Sequence, residues 1–299
     1  MSKSTTLRRF STSILTQVKR LVLYEDNHII VVNKPATLPT QSDNTKDLNL
    51  LDLVKNYIAQ KYNKPGAAYI GLVHRIDRPC SGVVVFARTS KSASRLSKSF
   101  SERDVDKRYV CMVHGMINRP GVCHNYLRQS PAYDNSNKVT VVPMTESTKP
   151  SSAIDRRLVE AKLAYSPLFT FNFNHGKNSI DGRTVLEVEL YTGRKHQIRA
   201  QLSHIGHPIC GDAKYGAPLL LRNAASPNQS TDKAHGFVAL HAHSLKLKHP
   251  TTKETLTFTA EVPEQWRQLC GADTFQKLKS ALKESVDRRA IYVRKGTKG

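Results

Sequence analysis

An aspartate set between two arginines is the most chemically suggestive feature of this sequence. Asp77 stands between Arg75 and Arg78 within residues 71–87, GLVHRIDRPCSGVVVFA, in a turn shaped by Pro79 and Gly82 ahead of an apolar strand. A nearby cation favours the ionised carboxylate, so Asp77 is suited to act as nucleophile or base. A loop aspartate in a structural ion pair has the same composition, and these residues alone leave both readings open. A second stretch, residues 190–216, reads LYTGRKHQIRAQLSHIGHPICGDAKYG. On a helix, His196, Arg199 and Ser203 fall at i, i+3 and i+7, apart from the apolar stripe Ile198, Leu202 and Ile205. That face can wall an anionic-ligand cleft or simply meet solvent.

The elements that position these side chains are legible in outline. Residues 28–33 (HIIVVN) read as a strand. A helix is predicted over 48–62, capped by Asp47, with Leu50, Leu51, Val54, Tyr57 and Ile58 as its apolar stripe. Residues 82–87 read as a buried strand. Ser90 is expected to cap a short helix with Ala93, Leu96 and Phe100 inward, followed by a strand at 108–113. Residues 118–152, rich in Pro, Asn and Ser, are expected to hold loops and one or two short strands. The alternation over 185–190 (VLEVEL) predicts a half-exposed strand. Thr192 is expected to cap a helix running to Ile205 and stopped by Gly206. Residues 218–237 read as an irregular polar insertion. A hairpin joins 244–248 to 254–260, and a last helix carries Trp266, Leu269, Phe275, Leu278 and Leu282. The pattern is α+β with a largely antiparallel sheet. One domain, residues 21–286, is expected between a basic arm (1–20) and a basic tail (287–299).

Across 299 residues, 46 Lys and Arg against 24 Asp and Glu leave a formal net charge of +22. Such an excess points to a polyanionic partner, nucleic acid before an acidic membrane surface. No apolar run approaches the roughly 20 residues of a spanning helix, so a membrane partner is not expected. Five scattered cysteines without a CxxC pair suit a reducing compartment better than a disulfide framework. Residues 1–20 hold Lys3, Arg8, Arg9, Lys19 and Arg20, no acid and many Ser and Thr. That is a transit-peptide composition and points to mitochondrial import. The alternative is an arm touching RNA phosphates in a cytoplasmic protein.

Residues 71–87 and 190–216 together resemble the RluA family of pseudouridine synthases. HRIDRPCSG is similar to that family's catalytic motif, and YTGRKHQIRAQLSHIGHPICGDAKYG to its second signature. The resemblance extends to YEDNHIIVVNKPATLPTQ (24–41), DKRYVCMVHG (106–115) and ALHAHSLKLKHPTTKETLTFTAEVPEQW (239–266), in order, across most of the chain. It implies a bent, largely antiparallel sheet with flanking helices and a central RNA-binding cleft. The implied activity is uridine isomerisation in RNA, in ribosomal or transfer RNA, with a ribosomal assembly intermediate as a further expected partner. It implies no cofactor and no metal. By resemblance Asp77 is the essential aspartate, which attacks C1′ or takes a ribose proton. Tyr109 stacks on uracil and shuttles a proton, and Arg199 pairs with Asp77. Arg75 fills the space left by the flipped-out uridine. His74, Arg78, Arg194, Lys195 and His196 are the further RNA-contact candidates. Ile76 and Cys80 depart from the family's usual leucine and threonine without removing a reactive group.

Other constellations are weaker. Cys111, His114, Cys123 and His124 fit no usual structural zinc spacing. His241 and His243 alternate on a strand and suit packing or RNA contact. Glu187 and Glu189 lack the flanking acid of a glycoside hydrolase. Ser81-Gly82 lacks a GxSxG elbow. The alternative from a different class is a non-catalytic RNA-binding assembly factor that keeps the synthase fold.

Overall fold

The structure, a computed structural model, describes residues 12–42, 47–130, 137–145, 158–174, 180–218 and 236–296. Eleven strands join one sheet: β1 (Val22–Glu25), β2 (Ile29–Lys34), β3 (Gly71–Leu72), β4 (Ser81–Ala87), β5 (Val105–His114), β6 (Gly121–Gln129), β7 (Val139–Val142), β8 (Leu158–Asn174), β9 (Ile180–Leu190), β10 (Leu240–Lys248) and β11 (Thr255–Thr259). Their order is β1-β2-β4-β10-β5-β9-β8-β6-β7, with β3 on β4 and β11 on β10. Every described pairing is antiparallel except β4 with β10. The helices are α1 (Thr12–Leu21), α2 (Leu50–Lys61), α3 (Ser90–Ser101), α4 (Gln197–His204), α5 (Arg267–Cys270) and α6 (Ala272–Gly296). The mixed α+β class with a mostly antiparallel sheet is therefore as expected.

β4 is apolar enough to be buried over its whole length, and it forms the inner strand that the Asp77 turn feeds. At its start Gly82 has φ +119, and a Cβ there would lie 2.5 Å from the Ala242 backbone nitrogen. Only glycine lets β4 approach β10 this closely. One core cluster joins α2 to β2 and β4 and includes Ile76. A second joins β5, β9 and β10 to α5 and α6 and includes Cys80 and the fully buried Trp266. Ile76 and Cys80 thus anchor the two sides of the Asp77 turn in different clusters. Tyr109 packs against both.

Several local expectations are corrected. α2 is capped by Asn49, whose side chain accepts from the Asp52 amide, not by Asp47. Thr89, not Ser90, caps α3, accepting from the Ser92 amide. α4 begins at Gln197, and Thr192 does not cap it: its hydroxyl accepts from the Lys162 amide and meets the Gln197 side chain instead. The last helix is broken at Gly271 (φ +80) into α5 and α6, and α6 continues past residue 286 to Gly296. The 17-residue β8 has no counterpart in the sequence reading, because Pro167 interrupts its alternation at a bulge against β9. Residues 1–11 of the basic arm and 219–235 of the polar insertion lie outside the described residues.

Candidate active site

The Asp77 turn is built by backbone contacts on both sides. The Cys80 amide donates to the Asp77 carbonyl at 3.1 Å, closing the turn. Thr40 Oγ1 donates to the Ile76 carbonyl at 3.0 Å. The fully buried Lys34 ammonium donates to the carbonyls of Pro35, Leu38 and Arg78. Three carbonyls match the three donors of an ammonium, which is how a lysine is tolerated there. Burial nevertheless pushes its pKa down to about 8.

The cation beside Asp77 is Arg199, not Arg75 or Arg78. Arg199 Nη1 donates to Asp77 Oδ2 at 3.0 Å. Its Nε and Nη2 grip Asp212 at 2.7 and 2.9 Å, a bidentate pair in which Asp212 is 1% exposed. Burial works against the Arg199 charge, but Asp212 and Asp77 outweigh it and move its pKa upward. The guanidinium is therefore fixed in place and permanently charged. His196 lies just before α4 with φ 52, so it reaches the site from a left-handed turn and not from a helical face. Its Nδ1 meets the Tyr215 hydroxyl at 2.9 Å, and its Nε2 lies 3.9 Å from Asp77 Oδ2. The Tyr215 hydroxyl also accepts from the Val139 amide, which fixes it beside His196. Burial outweighs the nearby Asp77 and lowers the His196 pKa to about 4, so the ring is neutral at pH 7.

Asp77, His196 and Arg199 face a cleft of about 780 Å³. Tyr109 lines it, and burial, with Cys80 and Asp77 nearby, raises its pKa, so the phenol keeps its proton at neutral pH. Arg75, Arg194 and Lys195 also line the cleft; Arg75 and Arg194 are exposed and Lys195 is half-buried. Arg194 Nε donates to the Glu160 carbonyl at 3.0 Å, and the Lys195 ammonium bonds the Asn137 side chain. Two candidates are placed differently. Arg78 turns away to the Thr37 carbonyl and to Asp47, at 2.7 Å, and is not part of the cleft wall. His74 lines the cleft but stacks on Phe100 at 4.5 Å, and its Nε2 accepts from the Val85 amide. Burial, then Lys107, lowers its pKa to about 3, so it offers RNA no positive charge.

Residues the sequence reading did not assign are Asp212, Tyr215, Lys107 and Lys34. A signal existed for Lys107, which stands two residues before Tyr109 on one strand and so shares its face. The other clusters are structural. His241 Nδ1 bonds Ser81 Oγ at 2.8 Å, and both His241 and His243 meet the Ala260 carbonyl. His114 meets Asp181 and His124 meets Glu160, so they do not converge with Cys111 and Cys123. Glu189 pairs with Arg108 at 3.0 Å. No group of three or more metal-ligating side chains occurs among the described residues.

Three neutral histidines set an acid limit. His74 and His241 have pKa values lowered to about 3, and His196 to about 4, each mainly by burial. Below about pH 6.5 the unfolded chain takes up protons that the folded state excludes, so stability falls with pH. At pH 5, still above the carboxylate range, each contributes a loss of up to about 2 kcal/mol. Urea unfolding at pH 7 and pH 5 checks this: a drop of at least about 3 kcal/mol is expected, and equal stabilities contradict it.

A family model described as RNA pseudouridylate synthase matches residues 28–204. A tRNA pseudouridine synthase C from Vibrio parahaemolyticus is 28% identical over 263 residues, covering 85% of this chain and 95% of that one. A ribosomal large subunit pseudouridine synthase D from Xanthomonas campestris is 31% identical over 281 residues, covering 92% and 72%. The solved structure of human RNA pseudouridylate synthase domain containing 4 has the same fold, with a TM-score of 0.63 at 22% identity over 85% of this chain and 93% of that one. Sequence and fold thus agree on the class, an RNA-modifying isomerase. Within that class the chain belongs to the RluA family of pseudouridine synthases.

Proposed function

We propose that this protein converts uridine to pseudouridine in organellar ribosomal RNA, with transfer RNA as the second target class, and that Asp77 is its essential residue. One observation carries the reading: the cleft that holds Asp77 is lined by Arg75, Arg103, Lys107, Arg194, Lys195 and Arg199, with Asp77 as its one carboxylate among the described residues. A polyanion is drawn into such a cleft, and a single acid waits there. The reaction conserves atoms. N1–C1′ breaks, the uracil turns, C5 bonds to C1′, and the C5 proton is exchanged for one on N1. Asp77 acts at the sugar, either on C1′ or on a ribose proton. Arg199 holds the carboxylate, and its anchorage on Asp212 keeps it from folding over the site. Tyr109 provides the platform for the uracil, worth roughly 1–3 kcal/mol. Arg75 fills the gap left in the stem when the base is extruded.

Loss of the C5 hydrogen supplies the assay. The purified protein, given transcripts carrying tritium at uridine C5, is expected to release tritium from ribosomal RNA. Release from neither RNA class contradicts the reading, and release from transfer RNA alone moves the target to the second class. Location rests on the acid-free, Arg- and Ser-containing residues 1–20. A fluorescent protein fused behind those residues is expected in mitochondria, and diffuse cytoplasmic signal contradicts import.

A further inference from the structure

Beside the Asp77 centre, the same cleft carries a cluster of cations that the isomerisation does not use. Lys107 on β5 faces the cleft two residues before Tyr109. Arg103 reaches it from the α3–β5 turn, where its backbone is held at φ 62, a costly conformation for a side-chain-bearing residue. Arg194 reaches it from the turn before α4, with Nε tied to the Glu160 carbonyl. Lys107 Nζ lies close over Gly193, 3.4 Å from where a Cβ would be.

Asp106 acts electrostatically on Lys107, and Glu160 on Arg103 and Arg194, but each acid is also bonded elsewhere. Asp106 pairs with Arg108 at 3.1 Å, Glu160 with His124 at 2.8 Å, and Asp77 with Arg199. Burial, then Arg103 and Arg194, pushes the Lys107 pKa down to about 8. Two guanidinium groups beside this half-buried ammonium leave an excess of positive charge that a further anion relieves. We propose that Arg103, Lys107 and Arg194 form the seat for one backbone phosphodiester of the RNA strand in the cleft. A phosphodiester fits because it carries one charge and two free oxygens, which charged donors on different elements can share. This rests on the RNA reading above, and it turns a generally basic cleft into one defined contact that sets the strand's register.

The test pairs Lys107→Met with a methylphosphonate scan of the substrate RNA, in which one phosphate at a time loses its charge. Lys107→Met is expected to weaken RNA binding roughly tenfold near 0.1 M salt and to reduce the salt slope by about one phosphate contact. At one position, methylphosphonate is expected to weaken wild type about as much as Lys107→Met does, and to cost the variant nothing more. Arg194→Gln, at an exposed side chain, is expected to share that position. Unchanged affinity and slope, or losses that add at every position, overturn the proposal. Failure of the underlying RNA reading looks different: wild type itself then releases no tritium and shows no salt-dependent RNA binding.

Discussion

Replacing Asp77 by Ala is expected to abolish uridine isomerisation, a loss of at least about 10⁴-fold, while RNA affinity changes less than about threefold. The asymmetry follows from what Asp77 touches. Its carboxylate meets Arg199 and the edge of His196 and belongs to neither core cluster. Removing it leaves Arg199 clamped by Asp212, and the turn is still held by Thr40, Lys34, Ile76 and Cys80. The cations that draw in RNA remain. Tritium release and equilibrium binding of the same transcript, run side by side, read the two quantities. A variant that keeps a tenth of the wild-type rate contradicts the role given to Asp77.

Asp212→Asn is expected to lower kcat about 100-fold with a much smaller change in KM. Asparagine keeps the shape but presents an amide N–H to a guanidinium that needs acceptors. Arg199 then loses its bidentate anchor, and its charge concentrates on the one remaining carboxylate, Asp77. A carboxylate gripped harder is a poorer nucleophile and a weaker base. Breaking a buried pair of this kind also costs roughly 3–5 kcal/mol of stability, so the rate is measured well below the variant's melting temperature. Single-turnover kinetics at saturating RNA separate the two effects. A variant that melts early yet turns over at the wild-type rate when folded contradicts the positioning role.

The parts of the site legible in the sequence are those written locally. The Asp77 turn is bounded by Pro79 and Gly82, and it leads into an unbroken apolar strand. Tyr109 sits on a strand whose alternation is clear. Asp212 is not legible because its meaning depends on a partner 13 residues away, across the remainder of α4 and the turn that follows it. His196 and Arg199 both wall the cleft, but they do not share a helical face with Ser203: a turn closes from the Gln197 amide to the Arg194 carbonyl and His196 is left-handed, so the helix begins only at Gln197. Arg75 and Arg78 both lie within two residues of Asp77 in sequence, yet Asp47 takes Arg78 out of the cleft and Arg75 stays exposed within it. Sequence adjacency cannot decide between them. His74 looks like a cation in HRIDR, but burial, then Lys107, keeps it neutral, consistent with its Nε2 accepting from the Val85 amide. β8 was hidden because its bulge at Pro167 shifts the alternation that would have announced it.

The central claim is that an Asp77-dependent isomerase modifies a particular uridine in ribosomal RNA. Carbodiimide-adduct sequencing of total and mitochondrial RNA tests it most directly, comparing cells that lack the protein with cells rescued by wild type or by Asp77→Ala. The account predicts one or more ribosomal RNA pseudouridines that vanish with the protein and return only with wild type. If every pseudouridine persists without the protein, or if Asp77→Ala restores the lost ones, the account is contradicted.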